Sequence, residues 1–421
     1  MPVRRKDMAR KGDYSFIGHP TLTATSIRLP ACQPKMLTRL PILPIVAILL
    51  FFVSAGCDSN NSISPEDILG QLPISVPQGF SADIFIDGLD LPTSLAFAPD
   101  GSGRLFVNEL QTGRIRVFNG DTEQSAPFAE ILTNVEGGFP VSGENGLIGL
   151  AFDPNYTQNR LVYVSYAVRS SGETFGAVAR YRDVDGRGED FTVLLDSVRA
   201  APGHQIESLA FGPNGKLYVS TGDAFRPDEA ADTSSVLGKV LRLNPDGSIP
   251  TDNPFPGSYA FALGLRNSFD LAFDDAGNLF AADNGPDHDD ELNRIVRGAN
   301  YGWPAFLGMV GQPGMTDPLF TWPQIVSPDG MAFYRGTQFP DAFRGKLFLV
   351  LFGDTFSSGP SPLAKRIQTV DLSASPPVFE DFAVYGFPGT GNPLDVAVGP
   401  DGSLYFTDIF QGRVYRIQYQ G

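Results

Sequence analysis

Apolar positions along the chain recur as pairs of short runs separated by turn residues. One unit reads SLAFAPDGSGRLFV (94–107), and similar units begin near residues 149, 208, 270, 330 and 395. In each unit an apolar or alternating run of four to six residues breaks at a turn rich in Pro, Asp, Asn or Gly, and a second apolar run follows. This is the pattern of a β-hairpin. The chain therefore predicts six related hairpins.

The spacing of these hairpins predicts the fold class. The alanines near the start of the units lie about sixty residues apart: Ala96, Ala151, Ala210, Ala272, Ala332 and Ala397. Each gap has room for two more strands, and the pattern contains no long amphipathic helix. A repeat of this kind indicates an all-β, six-bladed β-propeller.

The two ends of the chain carry similar strands. The last one, GRVYRIQY (412–419), resembles GRIRVF (113–118), which follows the first hairpin. We therefore expect strands from both ends to close the circle. Functional side chains should lie just beyond strands, in loops from several blades that meet over the axis.

The first 57 residues predict a leader. Residues 40–56 (LPILPIVAILLFFVSAG) follow Lys35 and Arg39, and their uninterrupted apolar part is too short to span a bilayer comfortably. They are typical of the apolar region of a secretory signal. The basic cluster at 4–11 lies far ahead of this region, which predicts Met36 as the true start.

Cys57 follows Ser54-Ala55-Gly56, which resembles a bacterial lipobox, where cleavage leaves a lipid-carrying cysteine. We expect a lipoprotein-type signal over 1–57 and export to the bacterial cell envelope, with a membrane anchor on the periplasmic or extracellular face. A free cysteine in a core is the alternative. Polar residues with scattered prolines predict a tether over 58–77. The propeller then occupies 78–421.

Charge narrows the range of partners. The chain has 31 Lys and Arg against 47 Asp and Glu, a net charge of −16. From Cys57 onward the balance is 23 against 45, or −22. Such an acidic surface repels phosphate backbones, which argues against nucleic acid as a partner. Cys32 precedes Met36, so a lipidated Cys57 leaves no thiol for a disulfide.

His204 is the histidine that the predicted fold singles out. It precedes the hairpin SLAFGPNGKLYVST (208–221), and Asp223 follows that hairpin. Antiparallel pairing can bring both to one edge, where the carboxylate would fix the imidazole tautomer and support a general base. Arg266 and Asn267 hold the same place in the next blade, and an arginine there suits a developing oxyanion. A structural histidine is the alternative for His204, and a solvated turn is the alternative for Arg266 and Asn267.

An acidic run follows Gly285 and Pro286. Its carboxylates are Asp287, Asp289, Asp290 and Glu291. Carboxylates and exposed backbone carbonyls are hard oxygen ligands suited to calcium, and like charges this close repel unless a cation gathers them. We expect Glu291 to be a ligand. A solvated acidic face is the alternative.

Several segments in order carry a family resemblance. HQIESLAFGPNGKLYVSTGD, LGKVLRLNPDGSIPTDNPF, GLRNSFDLAF, DDELNRIVRGANYGWP and GENGLIGLAFDPN together resemble the glucose/sorbosone dehydrogenase family, the soluble pyrroloquinoline-quinone (PQQ) aldose dehydrogenases. The resemblance extends from about residue 79 to residue 417. A single hairpin of this kind is shared by many propellers, but the ordered set is specific.

The resemblance implies roles for the matched positions. His204 falls on the base that takes the proton from the anomeric hydroxyl, and Asp223 on the carboxylate that orients it. Arg266 falls beside the reactive carbonyl of the quinone, and Asn267 on a cofactor contact. Two tryptophans match aromatic residues near the pocket: Trp303 and Trp322.

The resemblance also implies two calcium sites. Gly285 and Pro286 match the pair whose backbone carbonyls hold the calcium that polarises PQQ. Glu291 and Tyr301 match ligands of a second, structural calcium. A dication and a guanidinium would make the hydride acceptor electrophilic while the base activates the alcohol.

The pocket departs from the family pattern in its charge. Glu144 stands where the family has glutamine, and Asn392 and Leu394 stand where arginines grip the PQQ carboxylates. Each lost arginine contact should cost about 1.5–3 kcal/mol, or roughly ten- to a hundredfold in affinity. Lys365 and Arg366 would compensate if their loop reaches the axis.

The expected function is therefore PQQ-dependent oxidation of an aldose sugar at the anomeric carbon to a lactone, with electrons passing to an unidentified membrane acceptor. The alternative is a non-catalytic calcium-binding propeller that has lost PQQ and binds a carbohydrate or a protein. A third reading is a calcium-dependent lactone hydrolase. The combination of His204, Asp223 and Arg266 favours the enzyme, because a binding module has no need to keep the three together.

Overall fold

The computed structural model describes residues 72, 74–135, 138–139, 143–170, 172–353, 365–386 and 391–421. All of them belong to the unit Leu72–Gly421. The predicted leader and Cys57 lie outside the described residues. Among the described helices, none is long and apolar enough to cross a membrane.

The described strands form six antiparallel sheets, which are the blades of a propeller. Two strands precede the first blade: β1 (Ile74–Ser75) and β2 (Phe80–Ile86). Blade 1 contains β3 (Pro92–Phe97), β4 (Arg104–Glu109), β5 (Arg114–Asn119), β6 (Thr122–Glu123) and β7 (Ala129–Glu130). Blade 2 contains β8 (Leu147–Phe152), β9 (Leu161–Ser170), β10 (Glu173–Val184) and β11 (Arg187–Arg199). Blade 3 contains β12 (Ile206–Phe211), β13 (Leu217–Thr221), β14 (Lys239–Leu243) and β15 (Ala260–Leu263).

The second half of the chain continues the pattern. Blade 4 contains β16 (Ser268–Phe273), β17 (Leu279–Asp283), β18 (Asp290–Ile295) and β19 (Phe320–Trp322). Blade 5 contains β20 (Pro328–Phe333), β21 (Leu347–Leu351), β22 (Arg366–Asp371) and β23 (Val378–Tyr385). Blade 6 contains β24 (Pro393–Val398), β25 (Leu404–Asp408) and β26 (Arg413–Tyr419). The described part of the chain adds one α-helical turn, α1 (Tyr156–Asn159), and 3-10 turns at Ile131–Thr133, Pro227–Glu229 and Asp341–Phe343. The predicted all-β, six-bladed propeller is confirmed.

Strands from both ends of the chain close the ring, as the sequence predicts. β2 pairs with β26 and completes blade 6 as its outermost strand. β1 pairs with β23 at the edge of blade 5, and its Ile74 is buried opposite Tyr385. Two residues of the predicted tether thus belong to a sheet. The paired backbone sets the boundary of the propeller before Ile74 rather than at residue 78.

The first strand of each blade lines the axis. These inner strands contact one another in a closed order, β3, β8, β12, β16, β20, β24 and back to β3. Two carboxylates of the inner strands join neighbouring blades here. Asp270 accepts from the Met331 N–H at 2.6 Å, and Asp395 accepts from the Leu95 N–H at 3.0 Å. Burial raises the pKa of both carboxyl groups.

The repeated alanine has a packing role. In each blade it lies opposite an aromatic residue of the second strand: Ala96 and Phe106, Ala151 and Tyr163, Ala210 and Tyr218, Ala272 and Phe280, Ala332 and Phe348, Ala397 and Tyr405. Five of these rings contact a phenylalanine of the next inner strand, with centroids 4.9 to 5.6 Å apart. The small methyl group leaves room for the ring, and the ring joins the blades.

Candidate active site

The mouth of the propeller lies where inner strands begin and second strands end. Ile206 pairs with Thr221, so the continued register places His204 and Asp223 opposite each other just beyond β12 and β13. Arg266 precedes β16 at the same edge of the neighbouring blade. The structure therefore brings together the side chains that the antiparallel pattern places at one edge.

His204 and Asp223 form a buried hydrogen-bonded pair. Nδ1 of His204 lies 2.7 Å from Oδ1 of Asp223, and both residues are less than a tenth exposed. Burial opposes the charge of Asp223, but hydrogen bonds from His204, the Phe225 N–H and Trp303 outweigh it and hold the pKa of Asp223 below its ordinary value. An ionised carboxylate can only accept, so Nδ1 of His204 carries the hydrogen. Whenever the imidazole is neutral, Nε2 is then its acceptor.

Three residues around this pair have left-handed backbone: His204 (φ 57°), Ala224 (φ 47°) and Phe225 (φ 56°). Each costs about 1–2 kcal/mol for a residue with a side chain. The Ala224 N–H donates to the His204 carbonyl at 2.9 Å and holds the arrangement. Such strain is typical of functional sites. The Phe225 ring lies 4.3 Å from the imidazole and is 58% exposed, so an aromatic face borders the base.

Arg266 points its guanidinium into the loop after β17. Nη1 donates to the carbonyls of Asn284 and Gly285, each at 2.7 Å, whereas Nε and Nη2 have no acceptor among the described residues. Burial lowers the pKa of Arg266, although nearby carboxylates oppose this shift. The side chain remains a cation, because arginine does not deprotonate in proteins. Its backbone carbonyl accepts from the Asp223 N–H at 2.8 Å, which joins the base to the guanidinium.

Asn267 is fixed by its backbone and free at its side chain. Its N–H donates to Asp283 at 2.7 Å, and the residue is 3% exposed. Its Oδ1 is buried and has no hydrogen-bond partner among the described residues. Buried acceptors of this kind are uncommon, and this one fits a donor supplied by a ligand.

The segment NYGWP (300–304) is hydrogen-bonded to the backbone at the start of the segment GLRN (264–267). The Tyr301 N–H donates to the Leu263 carbonyl at 2.9 Å, and the Trp303 N–H donates to the Gly264 carbonyl at 2.9 Å. Gly264 has φ +75°, and a Cβ at this position would lie 2.0 Å from Oδ1 of Asn300. Only glycine permits this approach. The loop that carries Trp303 is thereby fixed against the loop that carries Arg266.

Three carboxylates at this mouth interact electrostatically, and one of them, Glu144, contacts His204. Glu144 accepts from the His204 N–H at 2.9 Å, and its backbone carbonyl accepts from the Gln205 side chain. Burial and the charge of Glu144 raise the pKa of Glu207 well above its ordinary value. Burial also raises the pKa of Asp329, although a hydrogen bond from Asn284 opposes the shift. Glu144 therefore fixes the backbone of His204 and adds negative charge beside it.

The residues predicted for calcium have mixed surroundings. The Gly285 carbonyl accepts from Arg266, and Pro286 is exposed. Glu291 is buried and accepts one hydrogen bond at each oxygen. The Tyr301 hydroxyl donates to a strand carbonyl and accepts from a strand N–H, which leaves its backbone carbonyl as the available ligand. Carbonyl and carboxylate oxygens fit a hard cation, and these assignments stay predictions.

The carboxylates of the acidic run 287–291 have separate surroundings, and a cation at Glu291 stays a prediction. The described residues contain no group of three or more His, Cys, Asp or Glu side chains that could hold a metal ion. Asp290 instead accepts from the backbone N–H groups of Gly285, Val326 and Ser327 at 2.7 to 2.8 Å. Backbone donors satisfy the charge, and strand geometry turns neighbouring side chains to opposite faces.

The two positions at which the family resemblance implies arginines have other contacts in the structure. Asn392 is 4% exposed, and its amide donates to the Phe352 carbonyl at 3.0 Å. Leu394 packs in an apolar cluster with Leu110, Ile148 and Ile409. Lys365 is partly buried, which lowers its pKa. The adjoining residues 354–364 and 387–390 lie outside the described residues.

The two tryptophans have separate environments. Trp322 is 3% exposed on β19, the outermost strand of blade 4, and packs against Phe320 and Phe379. The structure does not place it in the His204 cluster, because its indole fills the space between blades. Trp303 belongs to that cluster, since its Nε1–H donates to Asp223 at 2.9 Å. The sequence alone indicated only an aromatic residue near the pocket.

Comparisons with known proteins identify the family of the chain. A family model described as Glucose / Sorbosone dehydrogenase matches residues 89–416. The chain belongs to this family. The aldose sugar dehydrogenase YliI of Escherichia coli is 29% identical over 371 residues, which cover 82% of this chain and 94% of that protein.

The glucose/sorbosone dehydrogenase family also includes a solved PQQ complex. The PQQ-bound aldose sugar dehydrogenase of Streptomyces coelicolor is 27% identical with a TM-score of 0.65, and the match covers 82% of this chain and 99% of that one. The hedgehog-interacting protein of the mouse is 28% identical over 327 residues, which cover 68% of this chain and 45% of that protein.

Gly264→Ala should destabilise the contact between the loop that carries Arg266 and the loop that carries Trp303. The added Cβ would meet Asn300 and the Gly302 N–H at 2.0 and 2.8 Å on a left-handed backbone. We expect the free energy of unfolding to fall by about 2–4 kcal/mol in urea denaturation. Gly257→Ala is the matched control, since Gly257 has φ +73° with open space around the added Cβ, and should cost only ~1 kcal/mol. Equal losses of free energy of unfolding in the two variants would contradict the proposed close contact at Gly264.

Glu207→Gln should stabilise the fold as the pH rises. The folded state raises the pKa of Glu207. The contribution of Glu207 to the free energy of unfolding is therefore fully present below the ordinary glutamate pKa, and it is lost as the pH rises through the raised value. Glutamine keeps an acceptor for the Gln205 N–H and has no charge to bury. Its advantage in free energy of unfolding should grow from near zero at about pH 4 to about 1 kcal/mol or more at alkaline pH. Guanidinium denaturation across this range measures it, with the exposed Glu189→Gln as control, and a pH-independent difference would refute the assignment.

Proposed function

We propose that this chain is a PQQ-dependent dehydrogenase that oxidises an aldose at its anomeric carbon to a lactone. The observation that carries the proposal is the joint placement of His204, Asp223 and Arg266 at one mouth. A base alone would serve many reactions, but a base beside a partly buried guanidinium suits the removal of a proton and a hydride from one carbon. Family membership and the sugar dehydrogenases among its relatives support it.

The described residues fit the reactive side of a quinone cofactor. Arg266 offers Nε and Nη2 to an electron-rich oxygen, and Asn267 offers a buried acceptor without a partner. PQQ supplies a two-electron acceptor for the hydride when it is bound. Arg266 and Asn267 would hold its reactive end, with the family's calcium on the carbonyls of Gly285 and Pro286.

His204 has the role of general base. Nδ1–H is committed to Asp223, so Nε2 accepts the proton of the anomeric hydroxyl as the hydride leaves the carbon. Asp223 stabilises the imidazolium that forms. Arg266 supplies positive charge to the side of the mouth that receives the electron pair.

The sugar would lie against Phe225. The exposed ring beside the imidazole offers an apolar surface for the C–H face of a pyranose, and Glu144 offers an acceptor for its hydroxyl groups. This arrangement suits a neutral polyhydroxyl substrate.

We further infer that the mature chain is exported and lipid-anchored at Cys57 in the bacterial cell envelope, where it would pass electrons to a membrane acceptor. The signal-like segment 40–56 supports this inference. A Cys57→Ser variant should leave the membrane fraction, and retention there would refute the anchor.

The proposed activity has a direct test. Purified protein is given PQQ and calcium, and reduction of the quinone is followed by absorbance when glucose or another aldose is added. His204→Asn should bind PQQ as the wild type does and lower the rate of reduction about 10²- to 10⁴-fold, the usual share of a general base. His288→Asn is the matched control, because His288 lies in the exposed acidic loop. A near-native rate in His204→Asn would remove that residue from the mechanism.

A non-catalytic binding module is the second candidate. The similarity to a hedgehog-interacting protein favours it. The carboxylates near His204 also favour it, as do Asn392 and Leu394 at positions where the family resemblance implies arginines. Absence of any spectral change with several aldoses at saturating PQQ would support this candidate over the first.

A further inference from the structure

Trp303 contacts the carboxylate of the base pair on its second oxygen. Nε1–H of Trp303 donates to Oδ2 of Asp223 at 2.9 Å. The other oxygen, Oδ1, accepts from Nδ1 of His204 at 2.7 Å and from the Phe225 N–H at 2.9 Å. Both oxygens are therefore engaged, so the carboxylate cannot turn without breaking a hydrogen bond.

Trp303 is itself held in place. Its backbone N–H donates to the Gly264 carbonyl at 2.9 Å, and the guanidinium carbon of Arg266 lies 5.7 Å from the ring centroid. The same side chain thus touches the carboxylate that orients the base and the cation beside it. A shift of Trp303 would alter both.

The chemistry of the indole suits this place. An indole N–H donates and cannot accept, so it offers Asp223 no alternative to the role of acceptor. A hydroxyl or an amide could donate or accept and would allow a different arrangement. Phenylalanine would keep an aromatic face for Arg266 and remove only the donor.

We propose that Trp303 is a positioning residue, which acts through Asp223 to hold His204 in the Nδ1–H tautomer with Nε2 presented to the substrate. The catalytic consequence rests on the proposed sugar oxidation. The tautomer does not, and it can be measured in the absence of any cofactor.

The first test is nuclear magnetic resonance of the imidazole and indole nitrogens. The chain has three histidines and two tryptophans, so ¹⁵N-labelled protein gives few signals to assign. At a pH where the His204 ring is neutral, the wild type should show the Nδ1–H tautomer and Trp303→Phe a mixture of both. Asp223→Asn should move the Trp303 indole signal.

Trp322→Phe is the matched control, because it removes the other indole from a packed site between blades. It should leave the His204 signals unchanged. Identical His204 nitrogen shifts in the wild type and in folded Trp303→Phe would overturn the proposal. Loss of dispersed signals throughout the spectrum would mark an unfolded variant, and Trp303→Leu, which also lacks a donor, then replaces it.

The second test is kinetic. With PQQ, calcium and an aldose, Trp303→Phe should lower kcat about 10- to 100-fold and change KM less than about threefold, since the loss is in the transition state. In the Asp223→Asn background the same substitution should have little further effect, because the two residues act through one contact. Multiplicative losses would overturn the proposal. If the wild type oxidises no sugar, the proposed function fails while the tautomer measurement still decides the role of Trp303.

Discussion

The hydrogen bond from the Asp223 N–H to the Arg266 carbonyl joins blades 3 and 4 at the mouth of the propeller, at 2.8 Å. It makes the base and the guanidinium parts of one rigid unit instead of the ends of two separate loops. The strained backbone at His204 and Phe225 depends on that unit, because left-handed residues persist only where their surroundings fix them. The fold supplies such surroundings through a closed ring of inner strands and rings packed between blades.

Much of this arrangement could be predicted from the sequence. The hairpin repeat fixed the number of blades, and the order of His204, the hairpin and Asp223 placed both side chains at one edge because strand pairing is antiparallel. The likeness of the terminal strands predicted the closure of blade 6. These inferences succeed because they depend on local periodicity and on register, which a sequence displays directly.

Other features depend on contacts between distant segments. The bond from Trp303 to Asp223 spans eighty positions, and no local pattern predicts it. The acidic run 287–291 suggested a cation, whereas backbone N–H groups of a different blade hold Asp290. Trp322 carried the same family signal as Trp303 but lies on an outer strand. A list of residue types cannot show which donor reaches a carboxylate or which face a strand turns inward.

The mouth combines the hydrogen-bonded pair of His204 and Asp223 with several neighbouring carboxylates. Glu144 accepts a hydrogen bond from the backbone N–H of His204, and its charge contributes to the raised pKa of Glu207. Asn392 and Leu394 serve the wall of blade 6. Among the described residues, Arg266 is the cation shown in contact with the loop after β17, and Lys365 is partly buried near Asp408. A ligand that carries several carboxylates would depend strongly on those two groups and on a bound cation.

The most direct measurement is a crystal structure of the chain grown with PQQ, calcium and a sugar lactone. We expect a quinone oxygen in contact with the Arg266 guanidinium and the lactone carbonyl carbon beside Nε2 of His204. Cofactor bound instead in the cleft of about 610 Å³ at the opposite end of the axis, which is lined by Ala272, Ala332 and Ala397, would contradict it. So would a quinone in the mouth with His204 turned away from the sugar.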